Sequence, residues 1–521
     1  MSEEESATAG FEPDRTHSAA TGTDATVPED YPPEHAVQIP YAPGRRVRRG
    51  PVRISHNLRE IVGDALRGIR EPTQAISVTG SDDAVTQRHA RAVIDLCLRT
   101  GEAMLATGAS AADVVATVLR LSRAYGLTST HVDVTFTSIT ISVHRGLDED
   151  PISVMRVVKA LTTDYARMQG VLRLVDDITS SEEPMDVDEA RTELSAILAQ
   201  KRPYARWVVT VGKAVLAAGV VTMYDVGPIL VAVAALAVVL VDIVTRQLSK
   251  LGVSGFFGQI VASSIITWVA VLFYWLRSTG IEIPGSNRPT LIVISGIIML
   301  LSGISFTGAA RDAIDGYYVT ATARTMEVVM LTLGLAIGIS LTLGIAMSIG
   351  IPMRVGTTLG PDGGLAWGVL GAGLIGIGFG LTSYAEWRVV WLSGGVAAVV
   401  FAFHQAVAPL TNQPGVSSAL AGVLAGVIGY LTYRWIKAPE GAISMAGVIG
   451  LIPGLWVYRA LYAFIDSEYG VNAALPAMVV AFAVGIGLAA GSTIGGYAAR
   501  RAFGLDRFAR ASIRRGTRAM R

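Results

Sequence analysis

The chain has 521 residues, 51% hydrophobic and 16% charged, with a net charge of +1. Soluble domains carry about 25% charged residues, so a wholly soluble protein is excluded, and a single cysteine, Cys97, excludes a disulfide scaffold. The charge is unevenly spread: residues 1–206 hold 53 of the 85 Lys, Arg, Asp and Glu, residues 207–499 hold 23, and the last 22 residues hold eight Arg and one Asp. Only a membrane-embedded region tolerates so few charges over such a length.

Residues 1–83 read as a disordered tail, acidic and Pro-rich at first and basic later. No apolar stretch of signal-peptide type is present, so no secretory signal is expected. Arg45-Arg46 and Arg48-Arg49 lead into polar sequence and read as a basic patch for anionic headgroups. Residues 84–206 predict a small α+β domain. Helical spacing runs over 84–106 and includes Cys97 on an apolar stripe; Gly108 stops that helix and Ser110 caps the next, over 111–125. Val132, Val134 and Phe136, then Ile139, Ile141 and Val143, alternate as strands do, and either one bent strand or a tight hairpin fits. A further strand is expected near Ile152 and Val154, then helices over 164–178 and 186–200, the last capped near Asp186. His131 and Asp133 share a strand face near His144 and read as a polar outer face; no catalytic or metal motif is present.

Ten apolar runs follow, each long enough to cross about 30 Å of hydrocarbon: 207–224, 226–245, 256–276, 290–310, 326–350, 366–385, 389–408, 415–433, 441–463 and 474–498. Lys and Arg are in excess at the ends that share a side with both termini, including the Arg-rich tail 500–521, so both termini and the α+β domain are expected in the cytoplasm. Lys213 reads as snorkelling toward the interface, and His404 as a hydrogen-bonded histidine inside span seven.

Shifted by 151 residues, 295–318 (SGIIMLLSGISFTGAARDAIDGYY) aligns with 446–469 (AGVIGLIPGLWVYRALYAFIDSEY) at eight identical positions, Asp315/Asp466 among them. The copies are five spans apart, an odd number, so they lie upside down relative to each other. The fold class expected is therefore a polytopic α-helical membrane protein with two inverted five-helix halves, 207–350 and 351–499, an architecture of many secondary transporters. Ser302-Gly303 and Pro453-Gly454 fall at matching places within spans four and nine and mark interrupted helices, the best sequence pointer to a binding site. Arg311, Asp312, Asp315, Arg324 and Glu327 crowd the segment after span four; Arg324 and Glu327, three apart, can pair, and Asp315-Gly316 reads as a turn.

In order, TGASAADVVATVLRLSRAYGL (107–127), RDAIDGYYVTATARTMEVV (311–329) and IPGLWVYRAL (452–461) resemble the threonine/serine exporter family of bacterial inner-membrane proteins, over about residues 85–498. The family's recurring positions match at Asp315, Gly316, Arg324, Pro453 and Gly454. The resemblance implies export of threonine and serine driven by the proton motive force, and some relatives are linked to small organic acids.

The expectation is a secondary exporter in the cell membrane, not an enzyme. Arg324 is the candidate for a substrate carboxylate, Asp315 or Glu327 for its ammonium or the coupling proton, and Asp466 a further candidate. An organic-acid exporter, a channel, and a membrane-anchored enzyme or sensor are the alternatives. No cofactor and no nucleic acid is expected; the partners are the amino acid, protons and lipid, and oligomeric state is left open.

Overall fold

The computed structural model describes residues 87–503, apart from 145–149, 159–161, 182, 281–288, 301–302, 354–363, 452–455, 458–459 and 461–469. Helix α1 (Gln87–Ala106) buries Val93, Ile94, Leu96 and Cys97 on the stripe its spacing requires. Gly108, at φ +100°, turns the chain, and the Ser110 hydroxyl accepts from the Asp113 N–H to cap α2 (Ala111–Ala124). The alternating segment is a hairpin: β1 (Thr130–Val134) pairs antiparallel with β2 (Ser138–Val143), Val134 opposite Ile139, and β3 (Ile152–Val157) adds to the other edge of β2. Ile139, Ile141 and Val143 face the helices, while His131 and Asp133 are exposed on the outer face. Helices α3 (Tyr165–Ser180) and α4 (Val187–Ala199) are capped by Asp164 and Asp186.

Twelve further labels cover the apolar part: α5 (Arg206–Thr222), α6 (Pro228–Lys250), α7 (Gly255–Ser278), α8 (Thr290–Leu300), α9 (Gly303–Ile314), α10 (Tyr318–Ser348), α11 (Gly364–Thr382), α12 (Trp387–Thr411), α13 (Pro414–Ile436), α14 (Glu440–Val448) with the 3-10 turn η1 (Ile449–Leu451), and α15 (Gly470–Ala502). Among the described residues, seven are long and apolar enough to cross a membrane: α6, α7, α10, α11, α12, α13 and α15. The α8–α9 pair, bent by 46°, is an eighth if it counts as one span. Of the ten expected runs, seven are thus present as helices of spanning length among the described residues, or eight with the bent pair. At 17 residues α5 is shorter than the usual span, and Glu440–Leu451 is a short apolar helix. The chain is a polytopic helical membrane protein.

Glycines set how these helices pack. A Cβ at Gly212 would lie 2.6 Å from the Leu381 Cβ, and one at Gly378 2.6 Å from the Gly212 carbonyl oxygen; Gly219 and Gly371 oppose each other in the same way, at 2.7 and 2.5 Å. The two backbones of α5 and α11 can therefore touch, as small residues permit, and the crossed pairing means that they run antiparallel. Along α13 and α15 the order is the reverse: Gly415 faces Ala483, Gly422 faces Leu488 and Gly426 faces Gly496, so these helices run parallel. Helices α7 and α10 form a like pair, Gly334 against Phe256 and Gly338 against Ile260. The starts of α5, α6 and α7 precede those of α11, α12 and α13 by 158 or 159 residues.

Candidate functional site

The site begins where α9 stops. The Tyr317 N–H donates to the Asp312 carbonyl (2.8 Å) and the Gly316 N–H to that of Ala313 (3.2 Å), the Schellman pattern, with Gly316 at φ +91° where a side chain would be strained. The expected turn at Asp315-Gly316 is present. It folds α10 back so that the last turn of α9, with Arg311 and Asp312, and Asp315 just beyond it lie toward Arg324 on α10.

Asp312 is fully buried, and its Oδ2 lies 2.8 Å from Arg324 Nη1. Its Oδ1 accepts the Ala111 N–H at the start of α2 (3.1 Å), and Arg324 Nη2 donates to the Ala109 carbonyl (3.4 Å). Arg311 lies 3.6 Å from Asp113 Oδ2 and 3.9 Å from Asp315 Oδ2. The Tyr497 hydroxyl donates to Asp315 Oδ1 (3.0 Å), and beside it Arg500 pairs with Glu440 (2.6 Å). Segments from α2, α9, α10, α14 and α15 so bring four carboxylates and three guanidiniums together. Burial holds the Asp315 carboxyl above the usual carboxylate range, against the pull of Arg311 and Tyr497. Burial also opposes the charge on Asp113, but Arg311, Arg500 and the Ser110 hydroxyl outweigh it and its carboxyl sits below that range.

The structure corrects one expected pairing. Arg324 binds Asp312, not Glu327, which is exposed. An exposed carboxylate three residues away offers a screened pairing of small worth, whereas Asp312, taken out of water, needs a cation. Gly303 opens α9; Ser302, Pro453, Gly454 and Asp466 lie outside the described residues. Sequence reasoning missed Asp113, Glu440, Tyr497 and Arg500 as neighbours of this cluster. The contact between Ala111 and Asp312 spans 201 residues, and no local periodicity signals a pairing at that distance.

Other polar groups are matched elsewhere. Lys213 does not snorkel away: its Nζ lies 2.6 Å from Asp242 Oδ1, and Thr210 and Arg246 also bind that buried carboxylate. His404 Nε2 lies 3.3 Å from the Ser417 hydroxyl. Around the cluster, more contacts tie the α+β elements to the helices: the Thr320 hydroxyl to the Val134 carbonyl (3.0 Å), the Tyr165 N–H to the Ser383 carbonyl (2.9 Å), and Lys437 to Asp176 (2.9 Å). Among the described residues no group of three or more His, Cys, Asp and Glu is placed to hold a metal ion.

Residues 95–346 match the family described as "Putative threonine/serine exporter", and residues 368–494 the one described as "Threonine/Serine exporter, ThrE". Over 450 residues the chain is 33% identical to a protein of Mycobacterium tuberculosis named "Probable threonine/serine exporter", covering 82% of this chain and 81% of that one. The chain belongs to the threonine/serine exporter family. A "Threonine/serine exporter" of Corynebacterium glutamicum is 29% identical over 413 residues, 78% of this chain and 83% of the relative. No solved structure matches. In this exporter-family chain the first match runs from α1 through α10 and the second covers α11 to α15, so the division between them falls between the two sets of membrane helices. The charged cluster draws on both sets.

Proposed function

We propose that the protein exports threonine and serine from the cytoplasm across the cell membrane, coupled to the proton motive force, with α5–α10 and α11–α15 acting as inverted halves that alternate access. The observation that carries this is the crossed glycine contact of α5 with α11. Two helices that open equivalent sets, start 158 residues apart and run antiparallel are what a pseudo-two-fold axis in the membrane plane requires. The 46° bend between α8 and α9 supports an interruption in the first half where backbone groups can serve a ligand, and Pro453-Gly454 is its expected counterpart in the second.

In this reading both termini and the α+β domain face the cytoplasm. Arg324 takes the substrate carboxylate in exchange for Asp312, and Asp315 carries the proton or the ammonium group. Its carboxyl, raised by burial, suits the proton-carrying task, while binding the ammonium group would call on its ionised form. Glu327 and Asp466 are the remaining carboxylates to test.

The experiment is efflux from cells loaded with a threonine- or serine-containing dipeptide, with and without the protein, repeated with a protonophore. Faster efflux that collapses with the protonophore is the expected result. Efflux that persists with the protonophore and never runs against a gradient would make the protein a channel. No effect on either amino acid, with the protein present in the membrane, would move the substrate to organic acids. Intact export after neutral replacement of Asp315, Arg324, Glu327 and Asp466 together would place the site elsewhere.

A further inference from the structure

Ala109–Asp113 closes the connection from α1 and forms the first residues of α2, and three of its polar groups meet the membrane helices. It offers Arg324 a carbonyl, Asp312 an N–H and Arg311 a carboxylate. An amino acid offers the same kinds of group, an anionic carboxylate and an N–H donor. Two of the three contacts are long, 3.4 and 3.6 Å, and a closer ligand can replace them. Beneath the segment, Arg311 Nε and Asp315 Oδ2 are shielded from solvent, and neither has a hydrogen-bond partner among the described residues. They face each other at 3.9 Å, too far to bond directly. The Asp315 side chain is only 5% exposed, and a buried acceptor left in that state is costly. An unused donor and an unused acceptor side by side suit the two ends of a zwitterion.

The rest of the interface does not depend on this segment. Thr320 with Val134, Tyr165 with Ser383 and Asp176 with Lys437 hold the α+β elements from other sides. Gly108, at φ +100° with no atom nearer than 3.8 Å to a Cβ placed there, supplies a pivot immediately before it. Contacts of the dock at Thr320, Tyr165 and Lys437 do not pass through the segment.

We infer that Ala109–Asp113 is a removable plug: it covers an amino-acid site made by Arg311, Asp312, Asp315 and Arg324, and a zwitterionic substrate displaces it. The inference rests on the export reading above, and adds which element closes the site and what opens it.

The test uses full-length protein in lipid nanodiscs, where both faces are accessible, with the buried plug residue replaced, Ala109→Cys. The native Cys97 is a silent background, since it is buried and its thiol is pushed up to about 12. Threonine should speed maleimide labelling at position 109 by about threefold or more, because a ligand that prefers the open state raises its population; sucrose at equal concentration should not. Ser110→Cys gives the same readout if Ala109→Cys fails to fold. In the efflux assay Asp113→Asn, which loosens the plug, should lower the half-saturating internal threonine concentration by about twofold or more.

Labelling that threonine leaves unchanged, in protein that exports threonine, overturns the plug and spares the exporter. So does labelling that sucrose speeds equally, or a half-saturating concentration that rises in Asp113→Asn. Wild-type protein that exports neither threonine nor serine overturns the export reading and this inference with it.

Discussion

The first two helices of the two membrane sets start 158 and 159 residues apart but are joined differently. Between α5 and α6 the seam is ionic: Asp242, 3% exposed, holds Lys213, Arg246 and Thr210. At positions 159 residues on, α11 and α12 carry Ala372 and Phe401 in place of Lys213 and Asp242. There Phe401 fills the space over Gly368, with a ring carbon 2.5 Å from where a Cβ would stand, and Gly376 rests on the backbone of Ser393. One pair of adjacent helices is thus held by charge and the other by shape, so the chemistry of a seam can differ wherever close packing is kept. A buried ion pair confers little net stability over a well-packed apolar seam, so the ionic version needs a reason beyond holding two helices together.

Replacements at the shared α5–α11 contact should have the largest effect. Gly371→Leu puts a side chain 2.5 Å from the Gly219 carbonyl, where neither backbone can yield. It should cost about 3 kcal/mol or more, read as loss of folded protein and a lower melting temperature in detergent. A tolerated leucine would mean that α5 and α11 are not in backbone contact. Next comes the ionic seam. Asp242→Ala strands Lys213 and Arg246, both about one-third exposed, and should cost about 2–3 kcal/mol. Lys213→Met with Asp242→Leu should recover part of the stability, since Arg246 loses Asp242 but keeps Thr210. If that double variant is stable but exports nothing, the charges serve transport and not assembly. Phe401→Leu should cost about 1 kcal/mol, which separates the two kinds of seam by melting temperature alone.

Smaller effects are expected at the charged cluster, where the two sets meet. Arg324→Lys keeps the charge but loses the planar fork that reaches both Asp312 and Ala109, and efflux should fall about tenfold with little loss of folded protein. Asp315→Asn should show the smallest change in stability, with a defined sign. A carboxyl whose folded value is raised binds its proton more tightly in the folded state, so wild-type stability falls as pH rises from the ordinary carboxylate range through the raised one. Asn lacks that slope. Melting curves from pH 4 to pH 8 should therefore favour the variant increasingly toward the upper end, while its efflux is lost; parallel curves would mean that burial does not raise the Asp315 carboxyl.

Much of this was legible in the sequence, for physical reasons. The caps Ser110 and Asp186, the buried stripe around Cys97 and the turn at Gly316 each follow from a few neighbouring residues, and all are found where expected. The strand segment resolved as a hairpin because the Thr135 N–H donates to the Ser138 carbonyl across the turn, a choice that alternation alone left open. Ten apolar runs were countable, but hydropathy does not register a 46° bend or a helix only 17 residues long. The pairing of Arg324 failed because spacing on one helix ranks Glu327 first, whereas the desolvated Asp312 lies beyond a turn. Asp113 and Tyr497 could be joined to Asp315 only by folding three distant segments together.

The dock between the α+β elements and the helices also bears on what can be exchanged between relatives. At four places the α+β side contributes main-chain atoms: the Ala109 and Val134 carbonyls and the Ala111 and Tyr165 N–H groups. Every residue type except proline supplies both groups, so side chains on that surface can drift without losing the grip, provided the loops keep their course. A chimera carrying the α+β region of the Mycobacterium tuberculosis relative on these membrane helices should therefore assemble, despite the many side chains that differ.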